Sequence, residues 1–300
     1  MFELPFFSVV IPTYNRADLL KRAICSVFSQ TCQDFEIIVV NNSSTDNTQN
    51  ILNSISDQRL NIIEVKNDGI IAYSRNRGIK NAKGEWIAFL DSDDVWKPEK
   101  LEKVRDAINH NPQAILVCHD EWYVVDGETK KRLRYGPAER NFYEKLLFKR
   151  NYLSTSAVCI RRDIAIETDG FSERKDFVTA EDYEYWIRLA QVGKFYFIKE
   201  ILGEFHIHGE NTGKNTKIYT SASIAVKEYH FDLWLDKFPN RKSTINYGRA
   251  RMWAVASVSF IKVNKFDSAS KCAFKAIGFS PFYWKAWVAL FLVLFRIRIN

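Results

Sequence analysis

The stretch FFSVVIPTYNRADLLKRAICSVFSQTCQDFEIIVVNN, residues 6–42, holds two apolar runs on either side of a segment with helical periodicity. The runs FFSVVIP and FEIIVVN are continuous rather than alternating, as expected of strands covered on both faces. Between them Leu19, Leu20, Ala23, Ile24, Val27 and Phe28 recur at helical spacing, with Asn15 as the expected N-cap. Strand, helix, strand at this spacing predicts a parallel pair joined by a crossover helix.

The same rhythm continues outward. LNIIEV (60–65), WIAFLD (86–91) and AILVCHD (114–120) read as further strands. Helices are expected from residue 46 to about 55, and from Pro98, a residue suited to the first helical position, to about Asn109. The predicted class is therefore α/β, a Rossmann-like, mostly parallel sheet flanked by helices. Beyond residue 120 the pattern is less regular. Residues 124–141 suggest a hairpin or loop, 142–148 a short helix and 157–161 a strand. In EDYEYWIRLAQVG, Tyr185, Trp186, Leu189 and Ala190 share a helical side, with Gly193 as the expected C-cap. KFYFIKEILGEF (194–205) suggests a strand pair or bend. The sheet domain is expected to span 1–215, and a helical, basic region 216–300.

Hydrophobic content of 46% and charged content of 26% are globular values. The five cysteines are scattered without metal spacing, and the start MFELPFFSVVIPTYNR lacks a basic signal-peptide region, so a cytoplasmic setting is expected. The net charge of +7 is unevenly divided: residues 237–300 carry 12 Lys and Arg against one Asp, while residues 1–236 carry 31 against 35 acids. The basic tail ends in FSPFYWKAWVALFLVLFRIRIN, whose ten consecutive apolar residues, 286–295, fall short of the roughly 20 that span a bilayer. This suggests an interfacial helix near 282–298 on the cytoplasmic face of a membrane, peripheral rather than spanning. A helix that completes the core, or an oligomerisation helix, is the alternative. Nucleic acid is not an expected partner.

Open α/β sheets bind ligands outside the carboxyl ends of their strands. That rule selects Thr13–Arg16, Asn41–Asp46, Asn67–Gly69, Arg75–Gly78 and Asp91–Asp94. Neither GxGxxG nor a P-loop occurs, so phosphate must be held by another device. A hard divalent cation, Mn2+ or Mg2+, on Asp91 and Asp93 would leave positions open for diphosphate oxygens.

SVVIPTYNR, EIIVVNNSSTDNT, NDGIIAYSRNRGI, GEWIAFLDSDDVW and EDYEYWIRL, in that order over residues 6–210, together resemble the family 2 glycosyltransferases of the GT-A fold. The resemblance implies inverting transfer of a hexosyl or N-acetylhexosaminyl group from a nucleotide-diphosphate sugar, most often a UDP-sugar, to a hydroxyl of a glycan acceptor. A lipid-linked acceptor in cell-surface polysaccharide biosynthesis is expected. It implies a DxD metal site at Asp91 and Asp93, with Asp93 the principal ligand, and Asp182 as the general base. It places Thr13, Tyr14, Arg75, Asp91 and Ser92 at the nucleotide, and Asn41 where relatives usually carry an aspartate for the uracil imide. His208, in EFHIHGENTG, is implied as a further metal or diphosphate contact. The rival readings are an inactive glycan- or nucleotide-binding module and a nucleotidyltransferase, although PTYNRADLL lacks the Gly-rich basic loop that a triphosphate requires.

Overall fold

The computed structural model describes residues 4–137, 141–208 and 215–299. These fall into two compact units, one formed by 1–143, 151–174 and 185–209, the other by 144–150, 175–184 and 210–300. Against the expected boundary at 215/216, the second unit thus also takes two short pieces from within the first domain's sequence. Residues 209–213 of EFHIHGENTG, and 138–140 of the expected hairpin or loop, lie outside the described residues.

The first unit is built on nine strands. β1 (Phe7–Thr13), β2 (Phe35–Asn41), β3 (Leu60–Glu64) and β4 (Trp86–Phe89) are joined by parallel pairings, with β1 between β2 and β4. β5 (Val95–Trp96), β6 (Ala114–Val125), β7 (Glu128–Leu133), β8 (Val158–Arg161) and β9 (Lys194–Ile207) extend the sheet in the order β3-β2-β1-β4-β8-β6-β9-β5, with β7 on β6. Here the pairing is mixed. β8 runs antiparallel to both β4 and β6, β6 and β9 are parallel, and β5 and β7 pair antiparallel with β9 and β6. The sheet is therefore parallel through its first four strands and mixed beyond, because residues 120–161 fold back as strands instead of alternating with crossover helices. KFYFIKEILGEF belongs to a single long strand, β9, whose register against β6 shifts at several points.

The helices are α1 (Ala17–Phe28), α2 (Thr48–Asn53), α3 (Ile71–Asn81), α4 (Lys100–His110), α5 (Phe142–Phe148), α6 (Arg162–Glu167) and α7 (Glu181–Leu189). Leu20, Ala23, Ile24 and Val27 of α1 join Phe7, Val9 and Ile11 of β1 and Leu101 and Val104 of α4 in the main core. Removing such a side chain from water is worth about 1.5–3 kcal/mol each, which accounts for the uninterrupted apolar runs of β1 and β2. On α3, a methyl group at Gly78 would lie 2.2 Å from Val10 Cγ1, so this helix meets β1 at a distance only glycine permits.

Two local expectations are corrected, and a third is refined. Asn15 is not the N-cap of α1: its backbone is left-handed (φ 49°) and its Oδ1 accepts from Thr45 N–H at 2.7 Å, while the Ala17 N–H is received by Asp46 Oδ2 at 3.0 Å. Arg75–Gly78 is not a loop after a strand but part of α3. The helix expected near Pro98, α4, spans Lys100–His110.

The second unit is helical: α8 (Thr216–Lys237), α9 (Lys242–Lys262), α10 (Phe266–Phe279) and α11 (Trp284–Leu294). Phe148 packs on Phe231 and Trp234 of α8, Phe177 on Tyr229, and the Tyr183 hydroxyl donates to the Leu146 carbonyl at 2.5 Å. These aromatic contacts are what draw 144–150 and 175–184 into this unit.

Gly78→Ala should lower the unfolding free energy by about 1–3 kcal/mol through overpacking. The double variant with Val10→Ala should recover part of that loss, because the new methyl then fills the vacated volume. Denaturant unfolding of both variants and of Val10→Ala checks it: strictly additive losses would mean that the two positions do not compete for one space.

Candidate functional site

The carboxyl ends of β1, β2 and β4 meet where the sheet order reverses around β1, the place where open α/β sheets bind ligands. Thr13 and Asn41 are register partners at that edge. Thr13 is buried, and its Oγ1, itself shielded from solvent, has no hydrogen-bond partner among the described residues. Tyr14, the next residue, is 54% exposed. Asn41 is buried and engaged on both sides of its amide. Its Nδ2 donates to Glu64 Oε1 (2.9 Å) and Gln49 Oε1 (3.2 Å), and its Oδ1 accepts from the Ser44 hydroxyl (2.6 Å) and N–H (3.3 Å). An asparagine here thus organises the loop after β2, and its oxygen already serves two donors.

β4 delivers its chain into the acidic turn Asp91–Asp94, closed by the Asp94 N–H donating to the Asp91 carbonyl at 3.0 Å. The four residues point to different tasks. Asp91 Oδ1 accepts from Arg75 Nη2 at 2.7 Å, and the buried Arg75 guanidinium lies 5.3 Å from the Phe171 ring centroid. Ser92 is buried. Asp93 Oδ2 is met by Arg16 Nη1 at 2.7 Å and by His208 Nε2 at 3.0 Å. Asp94 is turned inward, where its Oδ2 accepts from the Ser156 hydroxyl (2.5 Å) and its Oδ1 from the His206 N–H (2.8 Å). Burial first, then the neighbouring Asp93, Glu121 and Asp91 carboxylates, pushes the Asp94 carboxyl well above the usual carboxylate range.

Thr13, Arg75, Asp91, Asp93 and His208 are thereby placed in the first unit around the β1, β2 and β4 ends. Asp182 lies in the second unit, in the first turn of α7, where its Oδ1 accepts from the Tyr183 N–H at 2.6 Å. Its negative charge contributes, after burial, to raising the Tyr219 phenol.

For a divalent cation, the test is the donor set. Among the described residues no three acidic, cysteine or histidine side chains gather into a metal shell. The Asp93 carboxylate and His208 imidazole do converge, which fits a cation completed by the oxygens of its ligand rather than by a protein cage.

Several contributors were not singled out in the sequence. Arg16, inside the selected stretch Thr13–Arg16 but given no role of its own there, reaches Asp93, 77 positions away, and Ser156, outside every selected stretch, bridges the ends of the acidic turn. Behind that turn lies a fully buried cluster. Lys100 Nζ sits 3.4 Å from the Trp96 ring centroid and 3.1 Å from Cys159 Sγ, and burial lowers its pKa. The His119 Nδ1–H donates to the Asp120 carbonyl (2.9 Å), and burial drives its pKa down to about 3, so it is neutral. Glu121 Oε2 accepts from the Tyr135 hydroxyl at 2.8 Å, and burial pushes its pKa up to about 7. Lys100 carried a readable signal: it stands on the apolar stripe of α4 with Val104, Ala107 and Ile108, where a charge has to find an internal partner.

Because Glu121 holds its proton more tightly folded than unfolded (about 7 against 4.5), its contribution to stability is fully present below pH 4.5 and is lost as pH rises to about 7. Glu121→Gln should remove that dependence. Urea unfolding across this window should show wild-type stability declining relative to the variant and the difference levelling off above about pH 7. Parallel curves would place the titration elsewhere.

Comparison with known proteins gives this geometry a family. A Bacillus subtilis protein named as a teichuronic acid biosynthesis glycosyltransferase, TuaG, is 28% identical over 214 residues, covering 70% of this chain and 82% of its own. An uncharacterised glycosyltransferase of Rickettsia prowazekii is 29% identical over 278 residues, covering 90% of this chain and 84% of its own. Among solved structures, S. aureus TarS 1–349 in complex with UDP-GlcNAc superposes with a TM-score of 0.64 at 18% identity, over 96% of this chain and 90% of that one. The mannosyltransferase PcManGT of Pyrobaculum calidifontis, solved with GDP-Man and Mn2+, does so with a TM-score of 0.60 at 15% identity, over 98% and 81%. These two likenesses establish the fold, a GT-A-like mixed sheet with a helical C-terminal region. The glycosyl transferase family 2 model matches residues 8–169, more than half of the sequence, and the chain belongs to that family.

Proposed function

We propose that this chain is an inverting, metal-dependent glycosyltransferase that moves a sugar from a nucleotide-diphosphate donor to a hydroxyl of a glycan acceptor, lipid-linked, in cell-surface polysaccharide biosynthesis. The observation that carries the reading is the acidic turn at the carboxyl end of β4, where Asp93 is met by His208 and Arg16 while Asp94 is turned inward. The UDP-GlcNAc of TarS and the GDP-Man and Mn2+ of PcManGT support the donor and cation classes, and the teichuronic acid in the name of TuaG supports the glycan setting.

In this reading Thr13, by its unpartnered hydroxyl, and the exposed ring of Tyr14 meet the nucleoside, with Asn41 shaping the loop beneath it. Arg75, Asp91 and Ser92 line the ribose and diphosphate. Asp93, with Asp91 and His208, would hold Mn2+ or Mg2+, and the bound cation would supply positive charge against the departing diphosphate. Asp182 takes the proton from the acceptor hydroxyl as that oxygen attacks the anomeric carbon, a task that needs a carboxylate because a hydroxyl is a weak nucleophile. Residues 1–215 carry the transfer, and 216–300 serve acceptor access.

A thermal-shift panel of UDP, GDP, dTDP and CDP with and without Mn2+ tests the donor side. One nucleotide at about 100 times its Kd should stabilise the wild type by about 2.7 kcal/mol in the presence of metal. Asp93→Ala should abolish the metal-dependent part. A shift that is equally large without metal, or none with any nucleotide, would overturn the cation assignment or the donor class respectively.

Asp182→Asn separates binding from chemistry. It should keep the nucleotide-induced shift while losing transfer by about 10²–10⁴-fold, the range of general-base contributions. A variant with near wild-type turnover would move the base to another residue.

A further inference from the structure

The last helix, α11, is amphipathic in the wrong sense for a helix that only completes a core. Its inward residues are Ala286, Ala289, Leu290 and Val293, which pack with α9 and α10 residues such as Ala254, Ala273 and Ala276. The large side chains stand on the other side. Trp284, Trp287, Val288, Phe291, Leu294 and Phe295 recur at helical spacing on an arc of about 120°. They remain exposed, Trp284 by 64% and Phe295 by 65%. Phe282, just before the helix, is 97% exposed. Ordinary packing would bury the indoles and phenyl rings and leave the alanines outside.

Charge names the occupant of this face. Residues 262–300 hold seven Lys and Arg against the single Asp267. Lys285 lies beside the Trp284 ring, 5.5 Å from its centroid, and Arg296 and Arg298 are exposed just past the helix end. A second copy of the chain would bring the same cations against one another across a two-fold contact. An anionic surface relieves that charge and removes the rings from water at once. The helix is 11 residues long, about 16 Å, roughly half the hydrocarbon thickness of a bilayer. No helix among the described residues is long and apolar enough to cross a membrane, so the contact lies in the plane of the surface. The Trp287 Nε1–H already donates to the Pro281 carbonyl at 2.7 Å, so this ring enters an apolar phase without an unsatisfied donor.

We infer that the outer face of α11 is a docking surface for an anionic phospholipid bilayer, with Trp284, Trp287 and Phe291 seated among the acyl chains and Lys285, Arg296 and Arg298 at the headgroups. This is independent of the donor chemistry proposed above, because its test reads no transfer. The full chain is sedimented with vesicles of phosphatidylglycerol and phosphatidylcholine, and with phosphatidylcholine alone, at low and high salt. Tryptophan emission is followed with brominated acyl chains as quencher. The wild type should pellet with the anionic vesicles, less so at high salt, with quenched tryptophan emission.

The triple variant Trp284→Ser, Phe291→Ser, Leu294→Ser should bind at least about tenfold more weakly while keeping its circular dichroism and unfolding midpoint, since the three side chains are exposed and the Trp287 hydrogen bond is left in place. A second variant, Lys285→Gln with Arg296→Gln and Arg298→Gln, should lose the preference for anionic vesicles. A wild type that stays in the supernatant would overturn the inference, as would equal pelleting of the triple variant. So would a dimer in sedimentation velocity that the triple variant dissolves without any dependence on lipid.

Discussion

The Ser156 hydroxyl holds the acidic turn in shape. Its oxygen accepts from the Asp91 N–H at 3.0 Å and donates to Asp94 Oδ2 at 2.5 Å, so one buried atom grips both ends of a four-residue turn. Because Asp94 is consumed by this bond and by the His206 N–H, it is Asp93 that meets Arg16 and His208. The inward direction of Asp94 and the anchoring of the turn at Asp91 therefore depend on a hydroxyl brought in just before β8. The antiparallel pairing of β8 with β4 is what brings it there. A purely parallel sheet, with a helix after each strand, would have left that position to a crossover connection.

Beneath the turn the interior is unusually rich in ionisable groups. A buried lysine is costly unless its charge is met, and Lys100 is met by the Trp96 ring face and the Cys159 sulfur. Its positive charge in turn helps hold His119 neutral and tempers the burial cost of Glu121. These groups belong to β6, β8 and α4, so the strands added beyond the parallel core supply both the support of the turn and its electrostatic background. Polar satisfaction here is incomplete, because His119 Nε2 and Glu121 Oε1 are buried with no hydrogen-bond partner among the described residues.

How much of this was legible follows from the range of the interactions. β1 and β2 are buried on both faces, and continuous apolar runs announce that directly. α3 was missed because its inward face is Ala72, Ser74, Arg75, Asn76, Gly78 and Ile79, too polar for an apolar stripe to register. What buries those polar groups is tertiary: Asn76 exchanges two hydrogen bonds of 2.8 Å with the Phe171 backbone, 95 positions away. Asp91 and Asp93 stood out as a charged cluster at a strand end, but nothing in the tetrapeptide told Asp93 from Asp94. That difference lies in Ser156 and in the His206 N–H, more than 60 positions distant. Asn15 was misread for a related reason, since its side chain serves the loop after β2 instead of its own helix.

That lacing between loops bears on how the site would respond to a ligand. The Asn42 N–H donates to the Thr13 carbonyl, the Asn15 N–H to the Ser44 hydroxyl, the Thr45 N–H to Asn15, and the Ala17 N–H to Asp46. Four bonds in succession tie the β1 loop to the β2 loop, and Asp46 also receives the Thr48 N–H. This rim is ordered before anything binds, so a nucleotide meeting it loses little chain entropy there. Opening this rim would break several hydrogen bonds at once, so motion that admits the donor or releases the spent nucleotide is expected away from these two loops.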